Sequence, residues 1–230
     1  MRKRAFFVIP LLILLVAGAV AWREWRQPTS AARPEVYVAL GASDAVGVGA
    51  ARPDQDGWAP LVQQGLPDRP QLVNLGVSGA TLADVLAEQA PVAADAGPRW
   101  VTIWPGPNDL RAGVPLDTFT AQLNRLLDDL APPPGHQRLV MVVNLPDLRL
   151  LPIFAQADGA QLDAQVRQWN AVIAAAVARH QAYAMLVDLY SGWAELAAHP
   201  DYISADGFHP SSAGYRRLAD LVLDTLRHHA

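Results

Sequence analysis

The sequence has no cysteine, which removes disulfides, thiolate metal ligands and a cysteine nucleophile together. The lack does not fix a compartment, because a chain of this length can build a sufficient core without cross-links. Charge is also sparse. Eighteen basic and twenty-two acidic residues leave a formal net charge of -4, with only 17% of residues charged. No basic surface dominates, so nucleic acid is not an expected partner, and a neutral or weakly polar substrate fits better. The six histidines follow no His-Glu-x-x-His or comparable spacing, so neither a metal nor a cofactor is expected. Gly47-Val48-Gly49 lacks the third glycine of a dinucleotide-binding turn. No internal repeat is present. What remains is a chain with 51% hydrophobic residues, the composition of a folded globular protein and not of a disordered one.

The longest hydrophobic run stands at the start. Arg2, Lys3 and Arg4 precede an almost uninterrupted apolar stretch from Ala5 to Trp22, a charge order that keeps the basic end in the cytoplasm and sends the following chain across the membrane. Residues 1–26 are therefore expected to be a signal peptide or a membrane anchor. The run is about long enough to span a bilayer, while Ala19-Val20-Ala21 offers small residues at alternate positions for a signal peptidase. Either way the rest of the chain is expected to be extracytoplasmic, secreted or anchored, with the membrane as a partner if the segment is uncut. Residues 27–34 turn to Pro, Thr, Ser, Ala and Arg and read as a linker. Residues 35–230 are left for one domain.

Within that domain two periods alternate. Apolar, β-rich runs occupy Val36 to Leu40, Leu72 to Leu75, Trp100 to Trp104, Leu139 to Asn144 and Met185 to Leu189, and each is apolar enough to be buried on both faces. Helical spacing fills Trp58 to Gly65, Leu82 to Ala96, Leu116 to Leu130, Leu162 to His180 and Ala213 to His228. Thr81 and Pro210-Ser211-Ser212 suit helix starts, and Pro132-Pro133-Pro134-Gly135 is a stop. The expected fold is α/β, a three-layer α/β/α sandwich around a parallel sheet of about five strands.

In such sheets reactive groups gather beyond the carboxyl ends of the strands. Three strand ends and one C-terminal loop carry unusual residues: Gly41-Ala42-Ser43-Asp44, Gly76-Val77-Ser78-Gly79, Gly106-Pro107-Asn108-Asp109 and Asp206-Gly207-Phe208-His209-Pro210. A serine hydroxyl becomes a nucleophile when a histidine takes its proton, and a carboxylate on the far ring nitrogen fixes the tautomer. Asp206 and His209, three apart in a glycine-containing loop, suit that pairing with Ser43. Donors for an oxyanion are available in the backbone N–H groups of Ser43 and Gly79 and the side-chain amide of Asn108. Each loop alone also has an ordinary reading as a turn or helix-leading bend.

Taken in order, the four blocks resemble those of the SGNH, or GDSL-type, esterases and lipases, named for Ser, Gly, Asn and His. The resemblance runs from about Glu35 to His228 and implies a flavodoxin-like topology. It also implies Ser43 as nucleophile, His209 as general base and then acid, Asp206 as its orienting partner, and Ser43, Gly79 and Asn108 as the oxyanion hole. The implied substrate is a small-molecule, lipid or carbohydrate acyl ester. One block departs from the pattern: Gly-Asp-Ser-Leu is here Gly-Ala-Ser-Asp, so the carboxylate before the serine is missing and Asp44 follows it. Asp44 is expected to place negative charge near the crevice mouth.

Other residues compete less well. Ser78 would leave the first block unexplained and suits a loop or cap. His199 beside Asp201 has no companion loop, His228 and His229 read as a solvated tail, and Asp109 as a brace for the loop bearing Asn108. Trp58, Trp104 and Trp193 suit core or rim packing, or the lining of an acyl pocket. The Gly-x-Ser-x-Gly elbow of an ordinary α/β-hydrolase is absent, because Ala45 holds its second glycine position. Two further functions share these residues: acyl transfer to a sugar or alcohol, and a non-catalytic binding module on the same scaffold.

Overall fold

The computed structural model describes residues 34–229. The expected leader and nearly all of the linker lie outside those residues. Five short strands form one sheet: β1 (Val36–Leu40), β2 (Gln71–Asn74), β3 (Trp100–Ile103), β4 (Leu139–Val143) and β5 (Ala184–Val187). Their order is β2-β1-β3-β4-β5 and every pairing is parallel. Tyr37 of β1 stands between Leu72 of β2 and Trp100 of β3, and its hydroxyl meets that of Thr102 at 2.7 Å within the core. The three inner strands are almost wholly buried, as a parallel sheet covered on both faces requires.

Five longer helices cover the sheet: α1 (Trp58–Gly65), α2 (residues 82–96), α3 (Leu116–Asp129), α4 (Gly159–Arg179) and α5 (Ser212–His229). One layer pairs α1 with α5, and a Cβ on Gly65 would lie 2.2 Å from Leu223 Cδ1, so glycine permits this close approach. In the other layer α3 buries Phe119, Leu123, Leu126 and Leu127, one stripe at helical spacing. Phe119 meets Trp169 of α4 at 4.5 Å between ring centroids.

Local chemistry sets the helix starts. Asp158 accepts the Ala160 and Gln161 N–H groups, which begins α4 at Gly159, ahead of the expected Leu162. Ser211 accepts the Gly214 N–H at 3.2 Å and opens α5. Two expectations need correction. β2, at one edge of the sheet, is not buried on both faces: its polar ends Gln71 and Asn74 are exposed and Leu72 and Val73 only partly covered, whereas the wholly apolar β5 at the other edge is largely buried. The α2 segment is not a regular helix either, since Val85–Gln89 forms a π-helical turn between two α-helical pieces.

The strand order also creates the site. The chain adds β2 on one side of β1 and then crosses to β3 on the other. Connections leaving the carboxyl ends of β1 and β3 therefore diverge, and a crevice opens between them.

Candidate active site

Ser43 begins a four-residue helix, Ser43–Val46, immediately beyond β1. The turn into it passes through Gly41 at φ 139°, a backbone region that L side chains avoid. From the far end of the sequence comes a closed loop: Ile203 bridges Pro210 in antiparallel fashion, and the Ser204 N–H donates to the His209 carbonyl at 2.8 Å. Asp206 organises its interior. Oδ1 accepts from the Ser204 hydroxyl at 2.8 Å and from the N–H groups of Phe208 and His209 at 2.8 and 2.9 Å. Oδ2 lies 2.6 Å from His209 Nδ1, and His209 Nε2 lies 2.9 Å from Ser43 Oγ.

Partial burial works to raise the Asp206 pKa. It is outweighed by the hydrogen bonds from the His209 ring, the two backbone N–H groups and the Ser204 hydroxyl, which hold the carboxyl well below the usual carboxylate range. An ionised carboxylate only accepts, so the proton of a neutral His209 ring sits on Nδ1 and Nε2 accepts from the Ser43 hydroxyl. Such a chain can draw a proton off Oγ as the oxygen attacks an electrophile.

The donors opposite Ser43 fall into two groups. The backbone N–H groups of Ser43 and Gly79 have no acceptor among the described residues. Asn108, in the short helix Pro107–Arg111, gives one amide proton to the Ala80 carbonyl at 2.9 Å and keeps the other. Asp109 beside it is buried, which raises its carboxyl pKa, and its Oδ1 accepts the Leu82 N–H at 3.0 Å. It thus ties the Asn108 loop to the start of α2, the bracing role expected of it. Ser43, Asn108 and His209 line one cavity whose walls are largely apolar, Leu82, Ile103, Trp104, Leu148 and Phe208 among them. Gly79, on an exposed turn with φ 87°, is not among the lining residues, although its neighbour Ala80 is.

Asp44 does not put charge at the mouth. Its Oδ1 turns back to accept the Ala42 N–H at 3.1 Å, and its Oδ2 is buried without a hydrogen-bond partner. Burial pushes this carboxyl up to about 7, against weaker opposing help from backbone N–H groups and the Trp58 indole. Gln89, which sequence reasoning passed over, proves central. Its Oε1 accepts the Gly41 N–H at 3.0 Å and its Nε2 donates to the Gly41 carbonyl at 2.9 Å. The one signal for it was a lone carboxamide in a helix segment whose other polar residues, Asp84, Glu88 and Asp95, are all carboxylates.

The remaining residues take modest places. Trp104 and Trp193 line the cavity, whereas Trp58 is fully buried in the core. Ser78 lies exposed in the turn before Gly79. His199 stacks on Tyr202 at 4.6 Å, with Nδ1 3.6 Å from Asp201. His228 is exposed, as expected, but belongs to the last turn of α5, its Nδ1 2.7 Å from the Asp224 carbonyl. Among the described residues no cluster of three or more His, Asp or Glu side chains is arranged to hold a metal ion.

No match was found among curated proteins. Among solved structures, the fold is similar to a lipase/acylhydrolase from Enterococcus faecalis, at 21% identity and TM-score 0.64, covering 85% of this chain and 96% of that one. It is similar to a family 3 carbohydrate esterase from Clostridium thermocellum, at 22% identity and TM-score 0.61, covering 85% and 98%. It is also similar to an acetyl-xylooligosaccharide esterase from Geobacillus, at 22% identity and TM-score 0.64, covering 84% and 94%. Residues 39–217 match the GDSL-like lipase/acylhydrolase family, and the chain belongs to that family.

Proposed function

We propose that the protein is a serine esterase that hydrolyses acyl esters through a covalent acyl-enzyme. The observation that carries this reading is the unbroken hydrogen-bonded series from Ser43 Oγ through His209 to Asp206, with spacings of 2.9 and 2.6 Å. Ser43 Oγ attacks the ester carbonyl while His209 Nε2 takes its proton. Asp206 keeps the imidazole in the required tautomer and stabilises the imidazolium that forms. The Ser43 N–H group and the free Asn108 amide proton receive the developing oxyanion, with the Gly79 N–H, on the turn next to the lining residue Ala80, as a third donor. His209 then protonates the departing alcohol, and water activated by the same ring releases the acid. Apolar cavity walls suit the acyl part of the substrate. Two of the similar structures are a family 3 carbohydrate esterase and an acetyl-xylooligosaccharide esterase, so short acyl esters of carbohydrate are a fitting first substrate class. The basic-then-apolar leader supports action outside the cytoplasm, secreted or membrane-anchored.

A fluorophosphonate probe tests this directly. The wild-type chain should take up one equivalent at Ser43 and lose its esterase activity in step, and Ser43→Ala should take up none. Turnover by Ser43→Ala at the wild-type rate would overturn the assignment.

A further inference from the structure

Two side chains outside the Ser43–His209–Asp206 series converge on the two residues that precede Ser43. Gln89 reaches in from the π-helical turn of α2 and engages both backbone polar groups of Gly41. Asp44 folds back from the other flank of Ser43: Oδ1 takes the Ala42 N–H, and a Cβ on Gly41 would lie 3.3 Å from Oδ2. The Val77 N–H adds a second bond to the Gly41 carbonyl, and the Val46 N–H donates to the Ala42 carbonyl. Every backbone polar group of this dipeptide is thus occupied. The turn needs such holding: Gly41 has φ 139°, Ala42 has an irregular φ -118°, ψ -139°, and no side chain caps the helix that Ser43 begins.

We propose that Gln89 and Asp44 are positioning residues that fix the Gly41–Ala42 turn so that the Ser43 hydroxyl rests on His209, with Asp44 acting as a neutral acid. The proposal rests on the reading of Ser43 as the nucleophile. Asp44 supplies from two residues later the acidic side chain that the Gly-Ala-Ser-Asp block lacks before its serine. Its neutral form follows from its surroundings. Oδ2 is buried and makes no full hydrogen bond, so only backbone N–H groups and the nearby Trp58 indole offset the loss of water, which is most costly when the group is charged, and among the described residues no cation forms an ion pair with it. The titratable groups that face it are Tyr37 of β1 and Tyr215 of α5, both of which its charge would disfavour as anions, with His209 beyond Ser43. An ionised Asp44 would also set a negative charge beside the oxyanion that forms during attack. Burial raises the carboxyl to about 7, so its ionisation should cut activity as the pH rises through neutrality into the alkaline range.

The experiment compares wild type, Asp44→Ala, Asp44→Asn and Gln89→Ala as full-length chains. It measures kcat and KM on p-nitrophenyl acetate from about pH 5 to 9, a window that brackets the raised carboxyl, together with the rate of fluorophosphonate labelling. Asp44→Ala and Gln89→Ala should lose about 10- to 100-fold in kcat and labelling rate with KM within about threefold, as expected for a misplaced but intact nucleophile. Asp44→Asn, which keeps the acceptor for Ala42 and cannot ionise, should recover most of that loss and abolish the alkaline decline. Labelling of folded Asp44→Ala and Gln89→Ala at the wild-type rate overturns the proposal. So does an unchanged alkaline limb in Asp44→Asn, a result that holds even if the alanine variants do not fold. If wild type itself is not labelled, the Ser43 assignment fails, and the positioning role with it.

Discussion

The two loops that meet at the Ser43–His209 contact are built in opposite ways. The loop from Ser204 to Pro210 holds itself together: one carboxylate collects four hydrogen bonds from residues no more than three positions away. The Gly41–Ser43 turn is held largely from elsewhere, by Gln89 forty-eight positions on and by Val77 on the loop after β2. A self-contained loop can present its histidine with little help from the rest of the fold. A turn held from a distance depends on the helix and sheet that carry its partners, so the first loop is the more vulnerable to distant substitution.

Three measurements would break or sharpen that contrast, beginning with the largest effect. Asp206→Asn should keep the bonds to Ser204, Phe208 and His209 through its carbonyl oxygen while turning an N–H₂ toward His209 Nδ1. The ring then adopts the other tautomer and Nε2 no longer accepts from Ser43, so kcat should fall on the order of 10³- to 10⁴-fold without loss of fold. A tenfold loss or less would show that Asp206 orders the loop without setting the tautomer. Asn108→Ala should cost about 10²- to 10³-fold in kcat if its free amide proton meets the oxyanion. An unchanged kcat would assign it to holding Ala80 alone.

The smallest effect is on stability. Asp206, with its pKa held low, contributes stability that is present above about pH 4 and lost as the solution becomes more acid. Asp44 has the opposite sign: its raised pKa gives a contribution that is full below about pH 4 and lost as pH rises through about 7. Thermal melts from pH 4 to 8 should therefore show wild type losing more stability than Asp44→Asn toward the alkaline end, on the order of a few kcal/mol at most. Parallel curves would mean that Asp44 is ionised throughout.

The same contrast explains what the sequence revealed. The five strands lie within a residue or two of their apolar runs, and α3 follows its apolar stripe, because burial periodicity is a local property. Asp206 and His209 are three apart, so their pairing could be read directly. Their union with Ser43, 166 positions away, was legible only when all four blocks were taken in order. What escaped depends on tertiary neighbours. No composition tells that Gln71–Asn74 lies at an edge. The inward turn of Asp44 follows from the Ala42 N–H it accepts, and the π turn of α2 from the helix geometry that brings Gln89 to Gly41.

A π turn is a helix with one residue to spare, closed by the Ala90 N–H reaching back five positions to the Val85 carbonyl. Deleting a single residue from 82–88 would let the segment relax to ordinary winding and remove the bulge from which Gln89 reaches Gly41. Insertions and deletions in this helix are thus unlike those in a surface loop. Among relatives, chain length between Thr81 and Gln89 should stay fixed even where the side chains drift.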